Sequence, residues 1–192
     1  CIMKTPMIFI QRDVGSVELH GDITFEEFMR VGYMGEYPTI EDYELQANLY
    51  FPEVRMRNFI EIRTHDCVSG DLKYAILAIY KGIFYDNIAM DECEELLKHL
   101  QYKDLSELRY NVPKLALQAN IKNNKVADYA KEIINIAEKS LKNSQTGEEL
   151  FLQPLKDLTF KGLSPADIIQ KKWNSTWNKD LGKMIKYLNS LE

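Results

Sequence analysis

Arg57-Asn-Phe-Ile-Glu-Ile-Arg63 is the stretch of this chain whose residue types and spacing could do chemistry. Its apolar and charged residues alternate, which predicts a β-strand. Alternate residues of a strand share a face, so Arg57, Phe59, Glu61 and Arg63 point one way, while Asn58, Ile60 and Ile62 point the other. Ile60 and Ile62 are the expected core side. The opposite side then sets a carboxylate between guanidinium groups. On one reading Glu61 holds a divalent cation such as Mg²⁺, which prefers carboxylate oxygens completed by water and phosphate. Arg63 would clamp an anion such as phosphate through its planar fork. On the other reading the charges form a cross-strand ion-pair ladder on a solvated sheet face. Charged alternation is common in half-exposed strands, so pattern alone favours the ladder.

Other candidate chemistry is thinner. His65-Asp66 could ligate a metal, but one His beside one Asp is more often a polar loop pair. His20 and His99 lie in unrelated segments, so there is no H-x-x-x-H ligand pair. G-x-S-x-G, Walker A and G-x-G-x-x-G patterns are absent, which removes the common hydrolase and nucleotide fingerprints. Tyr74, Tyr80, Phe84 and Tyr85 at helical spacing read as core. Trp173 and Trp177, four apart, read as a packing pair. Lys171, Lys172, Lys179, Lys183 and Lys186 read as a solvated helical face.

The elements that must position Glu61 and Arg63 mix strands and short helices. Met7–Gln11 and Val17–His20 predict a hairpin around Asp13-Val-Gly-Ser16. Thr24-Phe-Glu-Glu27 is a capping box opening a helix that stops near Gly32. A second helix is expected from Thr39 to about Tyr50, bounded by Pro52. Beyond about Asp71 the chain reads helical. Leu72 to Tyr85 is apolar on nearly every face, the pattern of a buried helix. Met90–Leu100 and Val126–Leu141 are amphipathic. Thr146-Gly-Glu-Glu149 reads as another capping box, Ser164-Pro165 as a helix start, and the last helix runs from about Asn178 to Leu191. The expected division is a strand-and-helix part over 1–66 and a helical region over 67–192, unless the two form one continuous domain. The fold class is α+β.

Composition bounds the rest. The 192 residues carry 24 Lys and Arg against 29 Asp and Glu, a net charge of −5. General nucleic-acid binding is not expected, because a phosphate backbone selects a basic surface. The longest apolar run, Tyr74–Tyr80, falls well short of the about 20 residues a bilayer helix needs. Cys1-Ile-Met-Lys shows no basic leader followed by an apolar stretch, so no signal peptide is expected. Three widely spaced cysteines, Cys1, Cys67 and Cys93, form no C-x-x-C pair and fit a reducing cytoplasm. A first residue of Cys rather than Met suggests a piece of something longer.

A resemblance sharpens this. Pro6-Met-Ile-Phe-Ile-Gln11, Thr24-Phe-Glu-Glu-Phe-Met29, Pro38-Thr-Ile-Glu-Asp42, Phe51-Pro-Glu-Val-Arg55, Glu61-Ile-Arg-Thr-His-Asp66 and Gly82-Ile-Phe-Tyr-Asp86 follow the order and approximate spacing of one family. The tail from Pro154-Leu155 through Ser164-Pro165-Ala166 to Trp177-Asn178 agrees as well. The chain resembles the C-terminal part of glutamate–cysteine ligase of the plant and bacterial type. The likeness covers essentially the whole chain but only roughly the latter half of the family's sequence.

The resemblance implies a glutamine-synthetase-like antiparallel sheet, partial here, with helices behind an active-site cleft. It implies small-molecule substrates (glutamate, cysteine and ATP), Mg²⁺, and a reaction through γ-glutamyl phosphate, the first step of glutathione biosynthesis. By the match Glu61 would be a Mg²⁺ ligand, Arg63 a catalytic contact to phosphate or nucleotide, and Arg55 a second catalytic candidate. Thr64-His65-Asp66 stands where the family often has Gly-Ala-Asp, a departure that bears on the local loop. The family's other metal-binding carboxylates come from its earlier half, so this chain alone is expected to be inactive. The alternatives are a related carboxylate–amine ligase using another amine, and a non-catalytic helical module that docks partners.

Overall fold

A computed structural model of the chain describes residues 2–56, 58–68 and 70–191. The chain divides into two units, Cys1–His65 and Asp66–Glu192. The class is α+β. Among the described residues the strands form three separate two-stranded antiparallel sheets.

The first unit begins with β1 (Phe9–Arg12) and β2 (Gly15–Glu18), paired so that Arg12 faces Gly15 across a two-residue turn. Gly15 takes φ +132°, a conformation side chains rarely adopt. Helix α1 (Phe25–Val31) follows, and both halves of its capping box are present. The Glu27 N–H donates to the Thr24 hydroxyl at 3.2 Å, and the Thr24 N–H reaches the Glu27 carboxylate at 3.5 Å. Helix α2 (Ile40–Leu49) is capped the same way by Thr39 and Asp42. The core beneath these elements is Met7, Ile10, Leu19, Phe25 and Phe28. Phe25 meets Phe28 and Tyr43 edge to face, at centroid distances of 6.2 and 5.7 Å.

The expected strand over 57–63 is corrected. A hairpin takes its place: β3 (Val54–Met56) runs antiparallel to β4 (Ile60–Ile62), with Met56 facing Ile60. Asn58 and Phe59 belong to the bend, and Arg57 lies outside the described residues. The expected core side is corrected too. Ile60 is 64% exposed, and its neighbours Met56 and Val54 are 78% and 54% exposed. Pleat alternation holds, but the apolar face of this short hairpin is not the buried one.

The second unit is built on α3 (Leu72–Phe84), α4 (Asn87–Leu97), α5 (Tyr102–Leu115), α6 (Val126–Ser144), α7 (Gln153–Thr159), α8 (Pro165–Asn174) and α9 (Leu181–Asn189). A small hairpin, β5 (Asn120–Ile121) with β6 (Asn124–Lys125), precedes α6. Ala78, Ala137, Leu141 and Leu152 form its core, with Ile79 and Ile83 packed against them. Gly82 lets α3 approach α6 closely: a Cβ there would stand 2.7 Å from the Ala137 carbonyl oxygen.

Several expectations for this unit change. Helix α3 is buried along one stripe only, Ala75, Ala78 and Gly82, while Leu77, Phe84 and Tyr85 are exposed. Tyr74 is exposed as well, so the aromatic set is not core. Thr146 does not cap a helix. Gly147 does, in the left-handed region at φ +77°, and it starts a 3-10 turn (Glu148–Leu152) that leads into α7. Trp177 lies past the end of α8, and its ring meets Tyr187 at 5.3 Å. Its four-residue spacing from Trp173 is therefore not a helical repeat. The helix start at Ser164-Pro165 forms as expected, and the structure adds a capping box between Ser164 and Asp167. No helix among the described residues is long and apolar enough to cross a membrane.

Candidate functional site

Helix α2 ends at Tyr50, and Pro52 stops it from continuing. The chain turns through Phe51 and Pro52 into β3, which carries Arg55 at its centre. In β4 the central residue is Glu61, and the register sets Arg55 and Glu61 directly opposite each other. The Arg63 N–H donates to the Glu53 carbonyl at 2.9 Å, which extends the ladder one pair past β4. Arg63 stands two residues on from Glu61 and so shares its face.

The two arginines hold different oxygens of one carboxylate. Arg55 donates from Nε to Glu61 Oε2 at 2.8 Å, with Nη2 at 2.7 Å from the same oxygen. Arg63 donates from Nη1 to Oε1 at 3.1 Å. Arg55 also donates from Nη1 to the Asn48 carbonyl at 2.9 Å, tying the hairpin to the last turn of α2. Its side chain is 13% exposed against 31% for Arg63. Arg55 is the anchored guanidinium, and Arg63 is the more open one. Both lie over the Phe51 ring, Cζ to centroid 5.8 Å for Arg55 and 4.6 Å for Arg63.

The Arg55 hydrogen bond holds the Glu61 carboxyl below the usual carboxylate range; partial desolvation opposes this, and the charges of Arg55 and Arg63 reinforce it. Glu61 is thus ionised at neutral pH, and the trio carries one net positive charge. That balance suits an anion. Glu61, partly exposed and with each oxygen already accepting from an arginine, could supply a single position in the shell of a hard cation. Further positions would fall to water, phosphate oxygens or other carboxylates. Among the described residues no group of three or more His, Cys, Asp and Glu side chains could hold a metal. His65 closes the first unit and Asp66 opens the second, both exposed and outside the trio.

Glu61, Arg63 and Arg55 are therefore brought together, in the form of the ion-pair ladder that strand alternation favoured. Sequence reasoning missed Phe51 and the Asn48 carbonyl. Phe51 had one usable signal, an exposed-type loop position four residues before Arg55. The carbonyl had none, since a backbone acceptor leaves no mark in residue type. A second ionic cluster also went unread. Arg12 binds Asp42 through Nη1 and Nη2 at 2.8 and 3.1 Å and Glu36 through Nε at 2.7 Å.

The chain's sequence has counterparts among known ligases. Residues 1–186 match glutamate-cysteine ligase family 2 (GCS2), and the chain belongs to that family. It is 25% identical over 190 residues to glutamate–cysteine ligase A, chloroplastic, of Oryza sativa subsp. indica, covering 97% of this chain and 38% of that protein. Identity to the chloroplastic glutamate–cysteine ligase of Solanum lycopersicum is also 25%, over 97% of this chain and 36% of the relative. For the Arabidopsis thaliana protein it is 24%, with the same coverages. The chain thus spans somewhat more than a third of the length of these relatives.

Proposed function

We propose that this chain is the C-terminal portion of an ATP- and Mg²⁺-dependent glutamate–cysteine ligase that works through γ-glutamyl phosphate. Family membership supports the ligase class, and the Arg55–Glu61–Arg63 cluster supports the phosphate chemistry. In this reaction a side-chain carboxylate oxygen of glutamate attacks the γ-phosphorus of ATP, and ADP leaves. The cysteine amine then attacks the acyl carbon, and phosphate leaves. Negative charge gathers on the transferring group, so catalysis needs positive groups already in place.

Arg63, the more exposed of the two guanidiniums, would supply such a group. Arg55, held by Asn48 and Glu61, fixes the register of the pair. Glu61 would supply one oxygen ligand to Mg²⁺, whose charge would neutralise phosphate oxygens when bound. The observation that carries the reading is the placement of two guanidiniums on one ionised carboxylate within a segment that matches the ligase family.

The test uses the natural full-length protein with glutamate, cysteine, ATP and Mg²⁺, following ADP and γ-glutamylcysteine together. Glutamate- and cysteine-dependent release of both is expected. Arg63→Lys is expected to lower kcat by about tenfold or more although the charge is kept, because Lys lacks the planar fork. Full activity in that variant, or no γ-glutamylcysteine from the natural protein, would overturn the reading. Turnover with another amine in place of cysteine would assign it to a related ligase.

A further inference from the structure

Two like-charged guanidiniums lie over one aromatic ring at this site. The Phe51 ring is 62% exposed, so it adds little to a core, yet Arg63 and Arg55 lie over it at 4.6 and 5.8 Å. Both distances fall within the range of a cation–π contact. We propose that Phe51 is the positioning residue of this site, its ring holding Arg63, and less closely Arg55, in the orientation that meets phosphate. The inference rests on the reading above, in which Arg63 contacts the phosphate of ATP.

The physical argument turns on what happens to the other clamp. Glu61 holds both guanidiniums through charged hydrogen bonds to its two oxygens. An arriving phosphate competes with Glu61 for Arg63, and a cation taken up by Glu61 competes with both arginines. In either case the ionic clamp weakens as the site fills, and two cations left side by side repel. The ring has no such competitor. A guanidinium stacks through its flat face and donates its hydrogen bonds in its plane. A ring against that flat face leaves the N–H edge to the anion, and the Phe51 centroid lies 4.6 Å from Arg63 Cζ. Glu61 holds the empty site, and Phe51 holds the site in both states.

The experiment compares Phe51→Leu, Phe51→Tyr and Arg63→Lys in the natural full-length protein. The readouts are kcat and KM for each substrate, nucleotide affinity by calorimetry, and Tm. Phe51→Leu keeps the bulk and removes the ring. It is expected to weaken ATP affinity and kcat/KM for ATP by about two- to fivefold if the pair stays wet, and up to about thirtyfold where water is excluded. KM for cysteine and Tm should stay near wild type, and Phe51→Tyr should restore ATP use to within about twofold. Three outcomes would overturn the proposal. Wild-type ATP affinity in Phe51→Leu, while Arg63→Lys is impaired, would leave the phosphate reading standing without Phe51. A lowered Tm with equal losses for all substrates, unrescued by Tyr, would make Phe51 a packing residue. Wild-type ATP kinetics in Arg63→Lys would remove the underlying reading and the proposal with it.

Discussion

Arg55 and Glu61 face each other across the β3–β4 hairpin, and the carboxylate oxygen that Arg55 grips is not the one that Arg63 reaches. Each guanidinium thus has an oxygen of its own, and Glu61 is the bridge between them. Glu61→Gln keeps the shape but removes the charge and turns one acceptor into an NH₂ donor aimed at an arginine. The Mg²⁺ concentration for half-maximal turnover of the full-length protein is expected to rise by roughly tenfold or more, since a neutral amide is a poor partner for a hard cation. Initial rates across a Mg²⁺ series at fixed ATP check this, and an unshifted midpoint would refute it.

How far this site was legible depends on which interactions are local. The box at Thr24–Glu27 and the helix start at Ser164-Pro165 are written within a few residues and appear where the sequence puts them. The β1–β2 hairpin was equally readable from two short runs and a turn. The register of Glu61 was not. A strand over 57–63 and a three-residue strand paired with 54–56 share the same alternation, and only the partner decides between them. The presence of Glu61 and Arg63 on one face survives either choice, because their spacing is two. Burial failed for a different reason. Apolar residues on every side of α3 do not say which side packs, and the close approach at Gly82 selects the stripe that does.

Among the described residues of the first unit Asp42 is the most deeply buried charge, 1% exposed. Burial alone would raise its pKa, but hydrogen bonds from Arg12 and the Thr39 N–H outweigh that and hold it below the usual carboxylate range. Asp42→Asn breaks the fork with Arg12 and weakens the α2 cap, so a loss of about 2–3 kcal/mol is expected at pH 7. The sign with pH follows from the depressed value. The stabilisation is complete above the unfolded pKa of about 4 and is lost as pH falls through the lower folded one. Urea unfolding of both proteins should show a gap that is constant from about pH 7 to 5 and narrows below about pH 4. A gap that widens on acidification would contradict the pairing.

Gly82→Ala separates helix propensity from packing. Ala is the better helix former by about 1 kcal/mol, and Gly82 has ordinary helical geometry. Its new methyl would nonetheless stand 2.7 Å from the Ala137 carbonyl oxygen and 2.9 Å from the Ala137 Cβ. Neither atom is the end of a flexible side chain, so α3 and α6 must move apart. A net loss of about 1–3 kcal/mol is expected, read from the denaturant midpoint. A gain in stability would show that the two helices separate without cost.

The last prediction concerns the 192-residue chain by itself. Phosphoryl transfer from ATP needs cations gathered around several phosphate oxygens, and Mg²⁺ is commonly held by one or two carboxylates besides phosphate and water. At the hairpin the only carboxylate joined to the two arginines in the described contacts is Glu61, and it is already ion-paired with both. The trio is also partly exposed, so water screens each charge interaction and weakens the pull on a phosphate. The helical unit, with its capped helices and packed α3–α6 contact, does not depend on that chemistry to fold. The expected result is a folded chain, cooperative in thermal unfolding, that gives no glutamate-dependent ADP when supplied with ATP, Mg²⁺, glutamate and cysteine. Coupled ADP detection on the purified chain decides it. Clear turnover by these residues alone would mean that they hold a cation site which Glu61 and its neighbours, as placed here, do not supply.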